Sequence, residues 1–106
     1  MLSKIVDLQE HGFSLRLEIC EHFDIFNSFG FEGNGYSWES LLEAILQRDK
    51  REFLEFIDLD SEADSLVIYG KDRALLEQIQ MIVDKLVEDR EFLKDNLIKS
   101  RDEIED

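Results

Sequence analysis

Three groups of side chains have the types and spacings that catalysis or ligand binding would need. In the first, His11 and His22 each lie beside a carboxylate, Glu10 for one and Glu21 with Asp24 for the other. An imidazole so placed can serve as a general base. Cys20 stands two residues before His22, but an activated thiol also needs a third group to orient its base, and none is evident. Cys20 is expected to be a small buried thiol. In the second group, Asp58-x-Asp60-x-Glu62-x-Asp64 puts oxygen ligands at alternate positions, as a calcium loop does. Counting from Asp58, however, Ala63 falls where the sharp turn takes Gly, and Tyr69 falls where a bidentate Glu closes the site. The pattern reads instead as a solvated hairpin turn, or as an anionic patch able to meet Lys or Arg of another protein. In the third, Gly33-Asn34-Gly35 precedes a helix as phosphate-cradling loops do, yet no Gly-Lys-Ser/Thr follows and Glu32 would oppose an anion. A tight connection is expected there. None of the three implies a metal, a cofactor or a catalytic residue.

The elements that must position these groups are legible in the periodicity. Phe13, Leu15, Leu17 and Ile19 alternate with Ser14, Arg16, Glu18 and Cys20, which predicts a half-buried strand over 12–20. Lys4 to Leu8 alternates more weakly and forms a hairpin with it, Gly12 lying near the turn. Phe23, Phe26 and Phe29 recur every third residue, predicting a short helix or 3₁₀ turn that stops at Gly30. Gly33 and Gly35 allow a sharp turn. Ser37 is then placed to cap a helix, with Glu39 in its first turn, near the positive end of the helix dipole. That helix carries the stripe Trp38, Leu41, Leu42, Ile45 and Leu46 and ends near Arg48-Asp49-Lys50. Trp38 is expected in the core, while Tyr36 suits either the core or an interface anchor.

Ile57-Asp58-Leu59 and Ser65 to Tyr69 flank the acidic turn and predict a second hairpin. Asp72 caps a helix carrying Leu75, Ile79, Ile82, Val83, Leu86 and Val87. Glu88-Asp89-Arg90-Glu91 interrupts its stripe, which resumes at Phe92, Leu93, Leu97 and Ile98. With no Gly or Pro to break it, a continuous helix is expected, fraying over 102–106. Ile79, Leu86 and Leu93 would suit a dimer seam, but the companion positions Asp89 and Asn96 are polar. The order of elements predicts an α+β fold: a small antiparallel sheet built from two hairpins, helices packed on one face, and a long C-terminal helix. One domain spans 1–106, with the core over about 1–88 and a charged helical extension over 89–106.

Composition narrows the partners. The chain has 106 residues, which suits one core burying roughly two thirds of the unfolded surface. Hydrophobic residues make up 43% and Phe occurs eight times, enough apolar material for the chain to fold despite its charge. Against 12 basic residues stand 26 acidic ones, a net charge of −14. Nucleic-acid phosphates and anionic lipid heads would repel such a surface, so the expected partner is a basic protein. A single Cys excludes an internal disulfide or a CxxC motif. Met1-Leu2-Ser3-Lys4 opens no apolar run of the signal-peptide kind, and no segment has membrane-span length, so a cytoplasmic location is expected.

Taken together, Gly33, Gly35, Tyr36 and Trp38 opening an apolar helix with Leu41 and Leu42, then Asp60-x-Glu62 in a turn before the strand Leu66 to Tyr69 and a Leu-rich helix, resemble the immunity protein 51 family. These are small bacterial proteins associated with polymorphic toxin systems. The similarity covers about Phe23 to Val87, and Leu66 with Val67 stand where an aromatic is expected in the strand. The resemblance implies a non-enzymatic immunity protein that binds and neutralises a cognate toxin domain. Glu32, Asp58, Asp60, Glu62 and Asp64 are the expected acidic contacts, with Tyr36 as an anchor, on a monomer or weak homodimer. The rival readings are a small acidic self-associating scaffold or regulatory domain, or a metal-dependent enzyme or regulator.

Overall fold

In the computed structural model, which describes residues 2–104, the alternation at Phe13 to Glu18 becomes a strand, β2 (Phe13–Glu18), paired with β1 (Lys4–Asp7). A 3₁₀ turn at Gln9–His11 joins them, and Gly12 closes it at φ 91°. The second hairpin pairs β3 (Ile57–Leu59) with β4 (Ser65–Gly70). The hairpins join through β2 and β4, giving one antiparallel sheet of order β1-β2-β4-β3. Because side chains alternate across a strand, this register sends Leu15, Leu17, Leu66 and Ile68 to one face, where all four are buried.

The helices cover that face. They are α1 (Phe23–Ser28), α2 (Gly35–Asp49), α3 (Arg73–Glu88) and α4 (Arg90–Ser100), with a 3₁₀ segment at Arg51–Phe56 between α2 and β3. Trp38, Leu41, Leu42, Ile45 and Leu46 of α2 are buried, and so are Leu76, Ile79, Val83, Leu86 and Val87 of α3. The architecture is the α+β arrangement the periodicity predicts, with the long helix α3 in the C-terminal part of the chain. Among the described residues no helix is long and apolar enough to cross a membrane.

Four local expectations are corrected. Asn34, not Ser37, caps α2: its side chain accepts the Ser37 N–H at 3.0 Å, and the helix begins three residues earlier than the Ser suggests. Glu39 is therefore outside the first turn, and its carboxylate instead accepts the Ser61 N–H at 2.9 Å. Cys20 is exposed, because β2 stops at Glu18 and the thiol lies beyond the covered sheet.

The fourth correction concerns the C-terminal helix, which is broken. Asp89 adopts extended angles (φ −119°, ψ 98°), donates its N–H to Lys85 O, and accepts the Phe92 N–H at 3.1 Å with its carboxylate. An Asp side chain that satisfies a free helix N–H competes with helix continuation, which is how a chain without Gly or Pro starts a second helix. The apolar cluster then runs past residue 88, since Leu93 and Leu97 of α4 are fully buried within it. Ile104 is also buried there, so the acidic end does not fray at that residue; Glu105 and Asp106 lie outside the described residues.

Candidate protein-interaction surface

The histidine and cysteine chemistry does not assemble. His22 is buried at the head of α1 with a φ of 69°, 6.4 Å from the Trp38 ring. Its Nε2 lies 2.6 Å from the Val87 carbonyl oxygen and its Nδ1 lies 3.1 Å from the Arg90 guanidinium. A carbonyl only accepts and a guanidinium only donates, so Nε2 carries the hydrogen and Nδ1 presents its lone pair. Both ring nitrogens are engaged, and none is left to activate the Cys20 thiol. Arg90 in turn binds Asp24 at 2.7 Å. That hydrogen bond holds the Asp24 carboxyl below the usual carboxylate range, and the same bond raises the Arg90 guanidinium. The cluster ties the β2–α1 connection to the α3–α4 break. His11 lies exposed in the first hairpin turn.

The glycine turn is likewise used internally. Gly33 N–H donates to Ser37 Oγ at 3.1 Å and Gly35 N–H donates to Ala63 O at 2.9 Å. Those donors point into the fold, so no phosphate cradle forms. The contact to Ala63 brings the two sequence motifs together. A Cβ on Gly35 would overlap the carbonyl oxygens of Glu62 and Ser65, so the acidic hairpin rests directly on the first residue of α2. Glu39 adds its bond to Ser61 on the same junction.

The acidic hairpin keeps register to its tip. Asp60 N–H bonds Val67 O, Glu62 and Ser65 exchange both backbone bonds, and Ala63-Asp64 form the turn. Asp58, Asp60 and Glu62 therefore share the face opposite Ile57 and Leu59, where Val6 and Tyr69 are exposed while Val67 and Ser65 are buried beneath their neighbours. The pairing of Val6 with Ser14, Ser14 with Tyr69 and Tyr69 with Asp58 makes one row across that open face. Lys4, Arg16, Val67 and Asp60 make the next. Glu62 reaches over the face to Arg16 at 2.9 Å, and Glu18 stands 3.8 Å from the same guanidinium. These carboxylates stand along an extended ladder and not around a loop, and among the described residues no three His, Cys, Asp or Glu side chains group as metal ligands.

The six residues singled out from the sequence thus divide. Asp58, Asp60 and Glu62 line the open sheet face. Asp64 sits at the hairpin tip, accepting from Ser65 Oγ at 3.2 Å. Glu32, which accepts from Asn34 Nδ2 at 2.9 Å, and Tyr36, 46% exposed, belong to the loop and helix start that support the hairpin from the other side. Trp38 is buried as expected, its Nε1 without a hydrogen-bond partner. Sequence reasoning missed Tyr69 and Phe56, which are 37% and 61% exposed. The alternation of β4 held the signal for Tyr69, since it falls opposite in phase to Leu66 and Ile68.

A sequence model of the family described as Immunity protein 51 matches residues 4–102, well beyond the segment over which the resemblance is visible by eye. No curated protein and no solved structure matches the chain.

Proposed function

Because the chain belongs to the immunity protein 51 family, we propose that it is a non-catalytic inhibitor that binds a cognate toxin domain and neutralises it in the cytoplasm of the producing cell. The binding surface is acidic and includes Asp58, Asp60, Glu62 and Asp64, with Glu32 and Tyr36 at its rim, on a monomer or weak homodimer. The observation that carries this reading is the alignment of Asp58, Asp60 and Glu62 at alternate positions of the sheet face opposite the buried Leu15, Leu17, Leu66 and Ile68. Carboxylates presented from a rigid ladder keep their spacing on binding, so little ordering opposes the association. A toxin that acts on nucleic acid must present a basic cleft, and a domain of net charge −14 is steered toward such a cleft at rates that fall with ionic strength. The engagement of both His22 nitrogens inside the fold supports the non-catalytic part of the reading.

The test is co-expression with the toxin domain of the neighbouring open reading frame, followed by titration of the purified pair. Rescue of growth together with a salt-sensitive complex is the expected result. Growth arrest despite expression of the folded chain, or binding indifferent to salt, would refute the reading.

A further inference from the structure

We propose that the contact is centred on the open sheet face at Asp58 and Tyr69, and that this site receives an arginine presented by the basic partner. The inference rests on the immunity reading and adds to it which surface is used and which side chain fits. The six acidic or aromatic residues read from the sequence are not equivalent in the fold. Glu62 is paired with Arg16, Asp64 accepts from Ser65, and Glu32 accepts from Asn34. Among the described residues, the side chains of Asp58 and Asp60 make no hydrogen bond or ion pair, so their charge is directed outward.

Beside them lies exposed apolar surface. Tyr69 is the direct cross-strand neighbour of Asp58, Val6 ends the same row at 48% exposure, and Phe56 immediately precedes β3 with its carbonyl oxygen against Gly70. Cross-strand neighbours stand roughly 5 Å apart, so the phenol ring and the carboxylate are within reach of one planar group. A guanidinium can lie on the ring while giving two parallel N–H bonds to the carboxylate; an ammonium, a hydrated point charge, cannot do both. The cations of this face, Lys4 and Arg16, stand on β1 and β2, and Arg16 is already engaged by Glu62. The negative pole is therefore the β3 edge, over which a basic partner docks.

The experiment titrates the ¹⁵N-labelled full chain with hexa-arginine and with hexalysine peptide at low ionic strength, following backbone amide shifts. Expected are perturbations confined to 56–60 and 67–69, and hexa-arginine affinity at least about fivefold above that of hexalysine. Tyr69→Leu should abolish the preference, and Asp58→Asn should weaken both peptides about fivefold, while Asp95→Asn, an exposed carboxylate of α4, leaves them unchanged. Shifts centred on the α1–α2 loop, shifts spread evenly over all acidic residues, or equal affinity for the two peptides would overturn the proposal. The wild-type map alone decides this even if a variant misfolds. No toxin enters the titration, so a map elsewhere on a protein that still protects cells removes this surface and leaves the immunity reading standing. An expected map on a protein that fails to protect removes that reading instead.

Discussion

Gly35 lies under the carbonyl of Glu62 so closely that a methyl group at its Cα would occupy the oxygen's position, and its N–H is bonded to Ala63 O. The hairpin that carries the acidic residues is thus seated on the first residue of α2. Backbone stands on both sides of the contact, so no side chain can rotate away to make room. Gly35→Ala should destabilise the fold by more than about 3 kcal/mol, the upper end for overpacking, measured by urea unfolding. Gly30, around which a Cβ meets nothing, provides the comparison: Gly30→Asn, a residue that tolerates positive φ, should cost about 1 kcal/mol or less.

His22 acts on the last turn of α3. The Val87 carbonyl is one of the helix-end acceptors that lack an intrahelical donor, and the imidazole supplies one from across the fold. Replacing the ring with an isosteric apolar group leaves that acceptor buried and unpaired. His22→Leu should cost about 1–3 kcal/mol in chemical unfolding, and His22→Gln, which retains an N–H donor, should cost less.

The Asp24–Arg90 pair gives an acid-side signature. Its hydrogen bond lowers the folded Asp24 carboxyl below the ordinary 3.8, so the unfolded state takes up the proton first. The contribution is fully present above the unfolded value and is lost as pH falls through the lowered folded one. Asp24→Asn should therefore flatten the acid limb of the stability profile. In carboxyl-detected NMR titration, Arg90→Gln should move the Asp24 midpoint back up. Both side chains are solvent-exposed, so added salt should shrink the effect.

What the sequence made legible follows from the range of the interactions involved. Strand alternation and the stripes of α2 and α3 are local, and both hairpins and the sheet's covered face were readable from them. The cap of α2 was misread because Asn34 and Ser37 are both good capping residues. The choice between them is made by Gly35, whose missing side chain lets the helix start against a hairpin nearly thirty residues away in the chain. The α3–α4 break was missed because Asp89 ends one helix and caps the next without Gly or Pro. The acidic residues were found by type, but not which of them stay unpaired: Glu62 is engaged by Arg16 only because β2 lies beside β4.

Helix α4 should be required for folding. Leu93 and Leu97 are fully buried and Ile104 nearly so, while Arg48 of α2 donates to Asn96 and Ser100 at 2.8 and 3.0 Å. Leu97→Ala should cost about 2–5 kcal/mol. A chain ending at Val87 should lose cooperative unfolding, observable as a broad, sloping urea transition in place of a sigmoid.

Binding and stability should separate on the open face. Among the described residues the side chains of Asp58 and Asp60 make no hydrogen bond or ion pair that a substitution would break, and the protein's excess negative charge favours any added cation. Asp58→Lys with Asp60→Lys should therefore leave unfolding within about 0.5 kcal/mol of the parent. The same double substitution should slow association with the toxin domain roughly tenfold or more at low salt, because it inverts the potential that steers the encounter. Glu62→Gln removes an exposed ion pair and should change stability by less than about 1 kcal/mol. It also leaves Arg16 with Glu18 at 3.8 Å as its remaining carboxylate neighbour, so more of the guanidinium charge opposes a basic partner and the effect on association should exceed the effect on folding. Stopped-flow measurement at two ionic strengths distinguishes these cases, and a doubly substituted protein that associates as fast as the parent would place the contact elsewhere on the molecule.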